Sequence, residues 1–122
     1  MKPLRSLVPM AFVESVSRSV QFYRRLGFEV GHSHTPPGES EPTWAWLASG
    51  GAHLMVTRAS VPVIASQQAI LFYIYCDDID GFHSALRGAD VDVSRIQYPF
   101  YNPRGEFRVT DPDGYILMVA HT

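Results

Sequence analysis

The sequence has one cysteine, no cluster of Lys or Arg, and no long apolar run. A lone cysteine, Cys76, excludes an intramolecular disulfide framework and a cysteine-rich zinc site. Ten basic and twelve acidic residues give a net charge of -2 at pH 7, without the basic patch that nucleic acids or anionic membranes attract. The longest apolar runs, such as 69–76, are too short to span a bilayer, and no signal-peptide core opens the chain. We therefore expect a cytoplasmic protein with no nucleic-acid or membrane partner.

The 122 residues, 46% of them hydrophobic, are enough for one folded domain over 1–122. Cys76 lies within an apolar run, which favours an inert core thiol over a nucleophile.

What the chain does contain is an internal repeat. The stretches GGAHLMV and DGYILMV each join a turn signal to Leu-Met-Val, and Met55 and Met118 are 63 positions apart. Apolar periodicity, capping residues and turn residues predict a strand, a helix and three strands in the first half. The predicted elements are Leu7–Phe12, a helix that Ser15 or Ser17 caps and Gly27 ends, Phe28–His34, Thr43–Ala48 and Ala52–Ala59.

The second half repeats this order. Its predicted elements are Ala69–Asp77, a helix from the cap Asp78 to about Gly88, Val91–Ile96, Glu106–Thr110 and Tyr115–His121. The turn Asp111-Pro112-Asp113-Gly114 joins the last two strands. The pattern predicts an α+β fold of two βαβββ modules, 4–59 and 69–121, joined by the polar segment Ser60–Gln68. Neither module could bury enough surface alone, so we expect a single domain.

Three segments carry a resemblance to a known family: SVQFYRRLGFEV, FYIYCDDIDGFHSAL and GEFRVTDPDGYILMVAH. They resemble the vicinal oxygen chelate superfamily, which contains glyoxalase I, fosfomycin-resistance enzymes, extradiol dioxygenases and bleomycin-resistance proteins. The start Val8–Met10 and the short length are most similar to the bleomycin-resistance branch. The resemblance implies a curled mixed sheet around a cavity, with the helices on the convex face.

Enzymes of this superfamily hold a metal ion with four cavity residues, usually His, Gln or Glu. The positions that align with them here are Val8, Met55, Leu71 and Met118. None offers the nitrogen or oxygen donor that a hard or borderline divalent ion needs. We therefore expect no metal, no cofactor and no catalytic residue of the usual kind, and we interpret the methionines as apolar cavity wall.

Strand alternation predicts what lines the cavity instead, because residues two apart share a face. If Leu71 faces the cavity, then Tyr73 and Tyr75 face it too. The candidate ligand-binding residues are Phe12, Trp44, Trp46, His53, Met55, Tyr73, Tyr75, Phe100, Tyr101, Arg104, Phe107 and Met118. Such a lining suits a hydrophobic or aromatic small molecule. The alternative is that these aromatic residues only fill a core.

The segment before the last strand departs from the family pattern. Relatives often carry Arg-Glu-Phe before the final turn, but Gly105 stands at the Arg position here. Arg104 could substitute for that Arg, or it could be a surface charge. Asp111 and Asp113 are interpreted as turn formers.

The histidines leave a catalytic alternative open. His53 is predicted to point inward and is the best candidate for a general base, although no partner acid is evident. His32 and His34 share a strand face and could chelate a metal, but no third donor is evident. The alternative function is therefore a glyoxalase- or dioxygenase-type lyase or isomerase with a non-standard metal site or a metal-free mechanism. A stress or regulatory protein that uses the fold only as a dimer scaffold is a third possibility.

The preferred hypothesis is a small-molecule sequestration protein similar to bleomycin-resistance proteins. In that branch two chains exchange N-terminal arms, so a homodimer is expected. Bleomycin is cationic and its binders are expected to be acidic. The net charge of only -2 therefore suggests a less charged ligand here.

Overall fold

The computed structural model describes residues 1–121 and divides into two compact units, Met1–Val63 and a second that begins at Ile64. The first unit contains β1 (Met10–Val13), α1 (Val16–Arg25), β2 (Glu29–His34), β3 (Trp44–Ser49) and β4 (Ala52–Arg58). The second contains a short 3-10 helix (Ala65–Gln67), β5 (Leu71–Tyr75), α2 (Ile79–Gly88), β6 (Glu106–Thr110) and β7 (Ile116–Ala120). The α+β class is confirmed. No helix in the described part of the chain is long and apolar enough to cross a bilayer.

Helix α1 begins and ends where the sequence predicts. Ser15 is the N-cap, and its hydroxyl accepts a hydrogen bond from the Arg18 amide at 3.2 Å. Gly27, with φ at +94°, supplies the left-handed residue that ends many helices. The buried face of α1 carries Val16, Val20 and Tyr23. Tyr23 also meets the Phe28 ring edge to face at 5.7 Å, which ties the end of α1 to the start of β2.

The sheet of the first unit has the strand order β1-β4-β3-β2, with β1 parallel to β4 and the other pairs antiparallel. Its side chains alternate between a buried face and an open face. The buried face is formed by Ala11, Val13, Ala45, Leu47, Leu54 and Val56. Apolar side chains at every second position therefore form the core of this unit. The residues between them point to the opposite face of the sheet.

The sheet of the second unit has the order β5-β7-β6, with β5 parallel to β7 and β6 antiparallel to β7. Its buried face carries Phe107, Val109, Leu117 and Val119. Helix α2 begins at the predicted cap, because the Asp78 carboxylate accepts a hydrogen bond from the Gly81 amide at 3.0 Å. The rings of Phe82 and His83 on α2 pack edge to face on Phe107 at 6.3 and 4.8 Å.

The repeat in the sequence is a repeat in strand register. Met10 is paired with Met55 in the first unit, and adding 63 to each number gives Tyr73 and Met118, which are paired in the second. The pair Phe12 and Thr57 is related in the same way to Tyr75 and Ala120. Corresponding positions in the two units therefore lie on corresponding faces of their sheets.

The predicted strand Val91–Ile96 is wrong. This segment forms only isolated bridges, Val93 to Val109 and Gln97 to Glu106. The Ser94 hydroxyl accepts the Arg108 amide at 2.7 Å, so a side chain occupies the donor that a regular ladder would use. The second unit consequently lacks one of the strands of a complete βαβββ module.

The turn before β7 is held by one buried carboxylate. Asp111, 5% exposed, accepts hydrogen bonds from the amides of Asp113 and Tyr115, both at 2.9 Å and both to Oδ1. The Asp111 amide in turn donates to the Tyr115 carbonyl at 2.9 Å. The interpretation of Asp111 as a turn former is confirmed, since these bonds fix the hairpin that aligns β6 with β7.

We predict that Asp111→Ala lowers the free energy of unfolding by about 2–4 kcal/mol, because two amides lose a charged acceptor. Asp111→Asn is the matched variant. It keeps an Oδ1 acceptor and should lose clearly less. Urea denaturation followed by circular dichroism measures both. A loss below about 0.5 kcal/mol for the alanine variant, the usual size of a surface substitution, would contradict this account of the turn.

Candidate functional site

The open face of the first sheet carries aromatic, sulfur-containing and imidazole side chains. We call it the tryptophan face, and its residues are Met10, Phe12, His32, His34, Trp44, Trp46, His53, Met55 and Thr57. The register aligns Met10, Met55, Trp46 and His32 in one row across the four strands. Phe12, Thr57, Trp44 and His34 form the next row. Phe12 is 55% exposed, so this face is not a filled core at that position.

His53 is oriented by Trp46. The Trp46 indole Nε1–H donates to His53 Nδ1 at 3.1 Å, and the two rings meet edge to face at 5.9 Å. An indole nitrogen is only a donor, so Nδ1 of His53 is the acceptor and the proton of the neutral imidazole is on Nε2. Neither ring nitrogen then offers a free lone pair. In this arrangement His53 does not act as the general base that the catalytic alternative requires.

The open face of the second sheet is built around two tyrosines. We call it the tyrosine face, and its residues are Leu71, Tyr73, Tyr75, Glu106, Arg108, Thr110, Ile116 and Met118. The rings of Tyr73 and Tyr75 stack, with centroids 6.0 Å apart and planes at 23°. Tyr73 is 40% and Tyr75 60% exposed, although large aromatic groups are usually buried where they serve only the core.

Glu106 lies on this face as a mostly buried residue. Its row pairs it with buried Ala120, and Ala120 is paired with Tyr75. Glu106 is 6% exposed, and the side-chain amide of Asn102 donates to its Oε1 at 2.6 Å. The sequence prediction did not include Glu106 among the site residues. Its alternation with Phe107 was the signal that could have placed it.

The phenol of Tyr73 is in the field of that carboxylate. The pKa of Tyr73 is raised, first by partial desolvation of the phenol, then by the negative charge of Glu106, and also by Tyr101 and Tyr75. Tyr73 therefore keeps its proton at neutral pH and can donate a hydrogen bond.

The loop before β6 carries three of the predicted site residues. The rings of Phe100 and Tyr101 meet edge to face at 5.3 Å, and Phe100 is almost fully exposed. Arg104 Nη1 lies 3.3 Å from His121 Nδ1. Arg104 therefore contacts the end of β7, which neither requires nor excludes a contact with a ligand.

The placement of Phe107 at the ligand face is corrected. Its side chain is 1% exposed and packs against α2, on the opposite side of β6 from Glu106 and Arg108. Period-two alternation decides this, because a residue between two open-face positions must point into the core. Phe107 supports the sheet and does not line the tyrosine face.

Gly105 explains why the family's Arg is missing at this position. Its φ is +110°, which L side chains rarely adopt. A Cβ there would lie 3.0 Å from Ile96 Cγ2 and 3.1 Å from Tyr98 Cε1. The backbone conformation therefore disfavours any L side chain at this position, and the neighbouring side chains would have to shift to admit one.

The four positions that align with the superfamily's metal ligands do not fit its metal. Strand register sets Met55 beside Met10 and Met118 beside Tyr73, while Val8 precedes β1. Thioethers prefer soft ions, whereas the divalent ions of these enzymes need nitrogen and oxygen donors. Within residues 1–121, no group of three or more His, Cys, Asp or Glu is placed to hold a metal ion. His32 and His34 share the tryptophan face, but no other His, Cys, Asp or Glu within residues 1–121 is placed to bind a metal ion together with them.

Comparison with known proteins supports the fold. A model of the Glyoxalase/Bleomycin resistance protein/Dioxygenase superfamily matches residues 7–119. A bleomycin-binding protein solved with bleomycin superimposes with a TM-score of 0.78 at 16% identity, covering 98% of this chain and 99% of that one. A bleomycin-binding protein from Streptomyces verticillus, solved with copper(II)-bleomycin, has a TM-score of 0.76 at 20% identity and covers 100% and 99%. An antibiotic-binding protein from Streptomyces sp. CB03234 has a TM-score of 0.74 at 17% identity and covers 99% and 98%. No curated protein matches the sequence at a significant level.

We predict that Zn²⁺, Mn²⁺, Fe²⁺ and Ni²⁺ do not raise the melting temperature. A ligand must bind the native state to stabilise it, and the methionine positions offer these ions no suitable donors. Elemental analysis of protein purified without chelator, with a thermal-shift screen on the same sample, checks this. Near-stoichiometric metal, or a shift that His53→Ala abolishes, would contradict the prediction and favour an enzyme.

Proposed function

The chain belongs to the glyoxalase/bleomycin resistance protein/dioxygenase superfamily, and from that premise we propose that it binds and sequesters a small hydrophobic or aromatic molecule without chemistry. The observation that carries the proposal is the presence of thioether and aliphatic side chains at the positions of the metal donors, on sheet faces that keep aromatic rings exposed. It supports a function like that of the bleomycin-resistance proteins of the superfamily, in antibiotic resistance.

Exposed aromatic rings are the physical basis of the proposal. Phe12 on the tryptophan face and Tyr75 on the tyrosine face are 55% and 60% exposed. Ring surface left in water is unfavourable by about 25 cal/mol per Å² of apolar area, so a stacked ligand recovers this free energy. The hydroxyls of the tyrosines and the fixed His53 ring supply polar points that orient the ligand.

The similar solved structures support a binding function, because two of them are bleomycin-binding proteins and the third is an antibiotic-binding protein. Catalysis is less well supported by the described side chains. The most inward histidine predicted, His53, is exposed in the structure and has both ring nitrogens committed in its neutral form. Binding alone needs neither a base nor a metal.

We predict that an aromatic ligand quenches the intrinsic fluorescence of the protein. Both tryptophans of the chain, Trp44 and Trp46, lie on the tryptophan face, so tryptophan emission, excited selectively over the tyrosines, reports chiefly on that face. Titration with bleomycin and with other aromatic antibiotics should give saturable quenching. A ligand at 100 times its Kd should raise stability by about 2.7 kcal/mol.

Trp46→Ala should weaken this binding about tenfold, the size expected for losing one aromatic contact. The matched control is Phe22→Leu, which removes a ring from α1 and leaves both sheet faces unchanged. Isothermal calorimetry measures the affinity of each variant. Equal losses in the two variants, or no saturable binding by any aromatic compound tested, would argue against the proposed function.

A homodimer is the second part of the proposal. Residues 1–9 precede the first strand, and Leu4 and Leu7 are 92% and 85% exposed. A second copy would cover these apolar side chains, as an arm exchange does.

We predict that light scattering detects a particle of twice the chain mass of 13.7 kDa. Deletion of residues 1–7 should shift it towards the monomer, and a monomeric full-length chain at micromolar concentration would contradict this part.

A further inference from the structure

Glu106 is a charged group in a mostly buried position. It is 6% exposed, and it forms no ion pair within residues 1–121. The one hydrogen bond of its side chain in that part of the chain comes from the neutral amide of Asn102 to Oε1 at 2.6 Å. No fully buried side-chain oxygen among the described residues lacks a partner, so Oε2 of Glu106 reaches accessible surface. A carboxylate in this position is costly unless something with positive charge approaches it.

The surroundings of this carboxylate are aromatic. The stacked rings of Tyr73 and Tyr75, 6.0 Å apart, share the open face of the sheet with Glu106. Ala120, the smallest side chain of that row, lies between Tyr75 and Glu106. Glu106 and the neighbouring phenols also raise the pKa of Tyr73, after desolvation of its phenol. One negative charge therefore stands at the edge of a cluster of electron-rich rings.

The nearest strand neighbour with a positive charge does not neutralise this cluster. Arg108 occupies the next open-face position on β6, in the row of Met118 and Tyr73, and is exposed. Within residues 1–121, no ion pair joins Arg108 to Glu106, so Arg108 leaves the carboxylate without a salt bridge.

A cation is the occupant that this combination favours. Aromatic faces attract positive charge through their quadrupole, and tyrosine is among the rings that do so. A carboxylate accepts charge-assisted hydrogen bonds from an amine that are about twice as strong as neutral ones. A neutral aromatic molecule could use only the rings, and an anion would be repelled by Glu106.

We propose that the tyrosine face binds an aromatic molecule that carries a single amine or ammonium group, with Glu106 facing the positive charge and Tyr73 and Tyr75 packing against the ligand. This inference rests on the aromatic-ligand function proposed above and specifies its ligand class. Asn102 is a positioning residue, because it touches Glu106 and holds one carboxylate oxygen in place.

Tryptamine and tryptophol test the charge directly, since they share an indole ring and differ in an ammonium or a hydroxyl at the end of the same chain. Calorimetry on the wild-type protein should show about tenfold tighter binding of tryptamine, from a charge-assisted contact and a cation–π contact. Glu106→Gln removes the charge but keeps an oxygen for Asn102. It should bring the ratio of the two affinities close to one, because the charge that distinguishes them is gone.

Glu41→Gln is the matched control, because it makes the same change in net charge at an exposed loop position of the first unit and should leave the ratio as in the wild type. Tyr75→Leu should weaken both compounds. Chemical shifts that tryptamine perturbs should centre on Tyr73, Tyr75 and Glu106. The comparison on the wild-type protein needs no variant, so poor folding of Glu106→Gln would not remove the test.

The outcomes separate the two proposals. Equal affinity for the two indoles, or perturbed shifts elsewhere in the chain, would overturn the cation inference and leave aromatic binding in place. A tryptamine preference that survives Glu106→Gln in a folded protein would also overturn it. Absence of binding by either indole and by every aromatic antibiotic would overturn both proposals.

Discussion

The parallel pairing of the first strand of each unit with its last is the constraint on which the candidate site depends. It sets Met10 beside Met55 in one sheet and Tyr73 beside Met118 in the other, although each pair is 45 residues apart in the chain. Parallel neighbours cannot be joined by a tight turn, so a helix and the intervening strands connect them. A one-residue slip in this register would exchange the open and buried faces of the strand. The composition of both open faces therefore depends on this pairing.

Methionine at the chelate positions changes what the sheet can do without changing the fold. A divalent ion needs fixed nitrogen or oxygen donors, whereas a thioether is apolar, polarisable and flexible. Met55 and Met118 are half-buried in the middle of their strands, where a flexible side chain adapts to an irregular neighbour. The exposed rings are then the largest apolar groups that these faces offer to a small molecule.

Local physical rules predicted much of this structure. The hydroxyl of Ser15 and the carboxylate of Asp78 cap the two helices as expected, because capping depends on residues only three positions away. Alternation placed Tyr73 and Tyr75 on one face together, since that period is a property of any strand. Asp111 was recognisable as a turn former for the same reason, as its hydrogen bonds reach no further than Tyr115.

The errors had two causes, contacts with distant residues and strand alternation that was not applied. Val91–Ile96 has strand composition, but the hydroxyl of Ser94 accepts the Arg108 amide and interrupts the ladder. Phe107 was assigned to the ligand face by its nearness to an aromatic loop, although alternation on β6 points it towards α2 and Glu106 to the opposite face. The burial of Glu106 and its bond to Asn102 depend on how the preceding loop folds back, and sequence patterns carry no direct signal for that contact.

The net charge of the chain and the charge of one carboxylate in a site have different effects on a ligand. A net charge of -2 suggests weak attraction for cations at long range, and salt screens that attraction within about 10 Å. A carboxylate at 6% exposure is screened much less than a surface charge, so it acts strongly on whatever reaches it. Selectivity for one positive charge on an aromatic ligand therefore does not require an acidic protein. It requires one carboxylate held beside exposed rings, as Glu106 is held beside Tyr73 and Tyr75. The modest net charge is thus consistent with a ligand that carries one positive charge and whose affinity comes mainly from its ring.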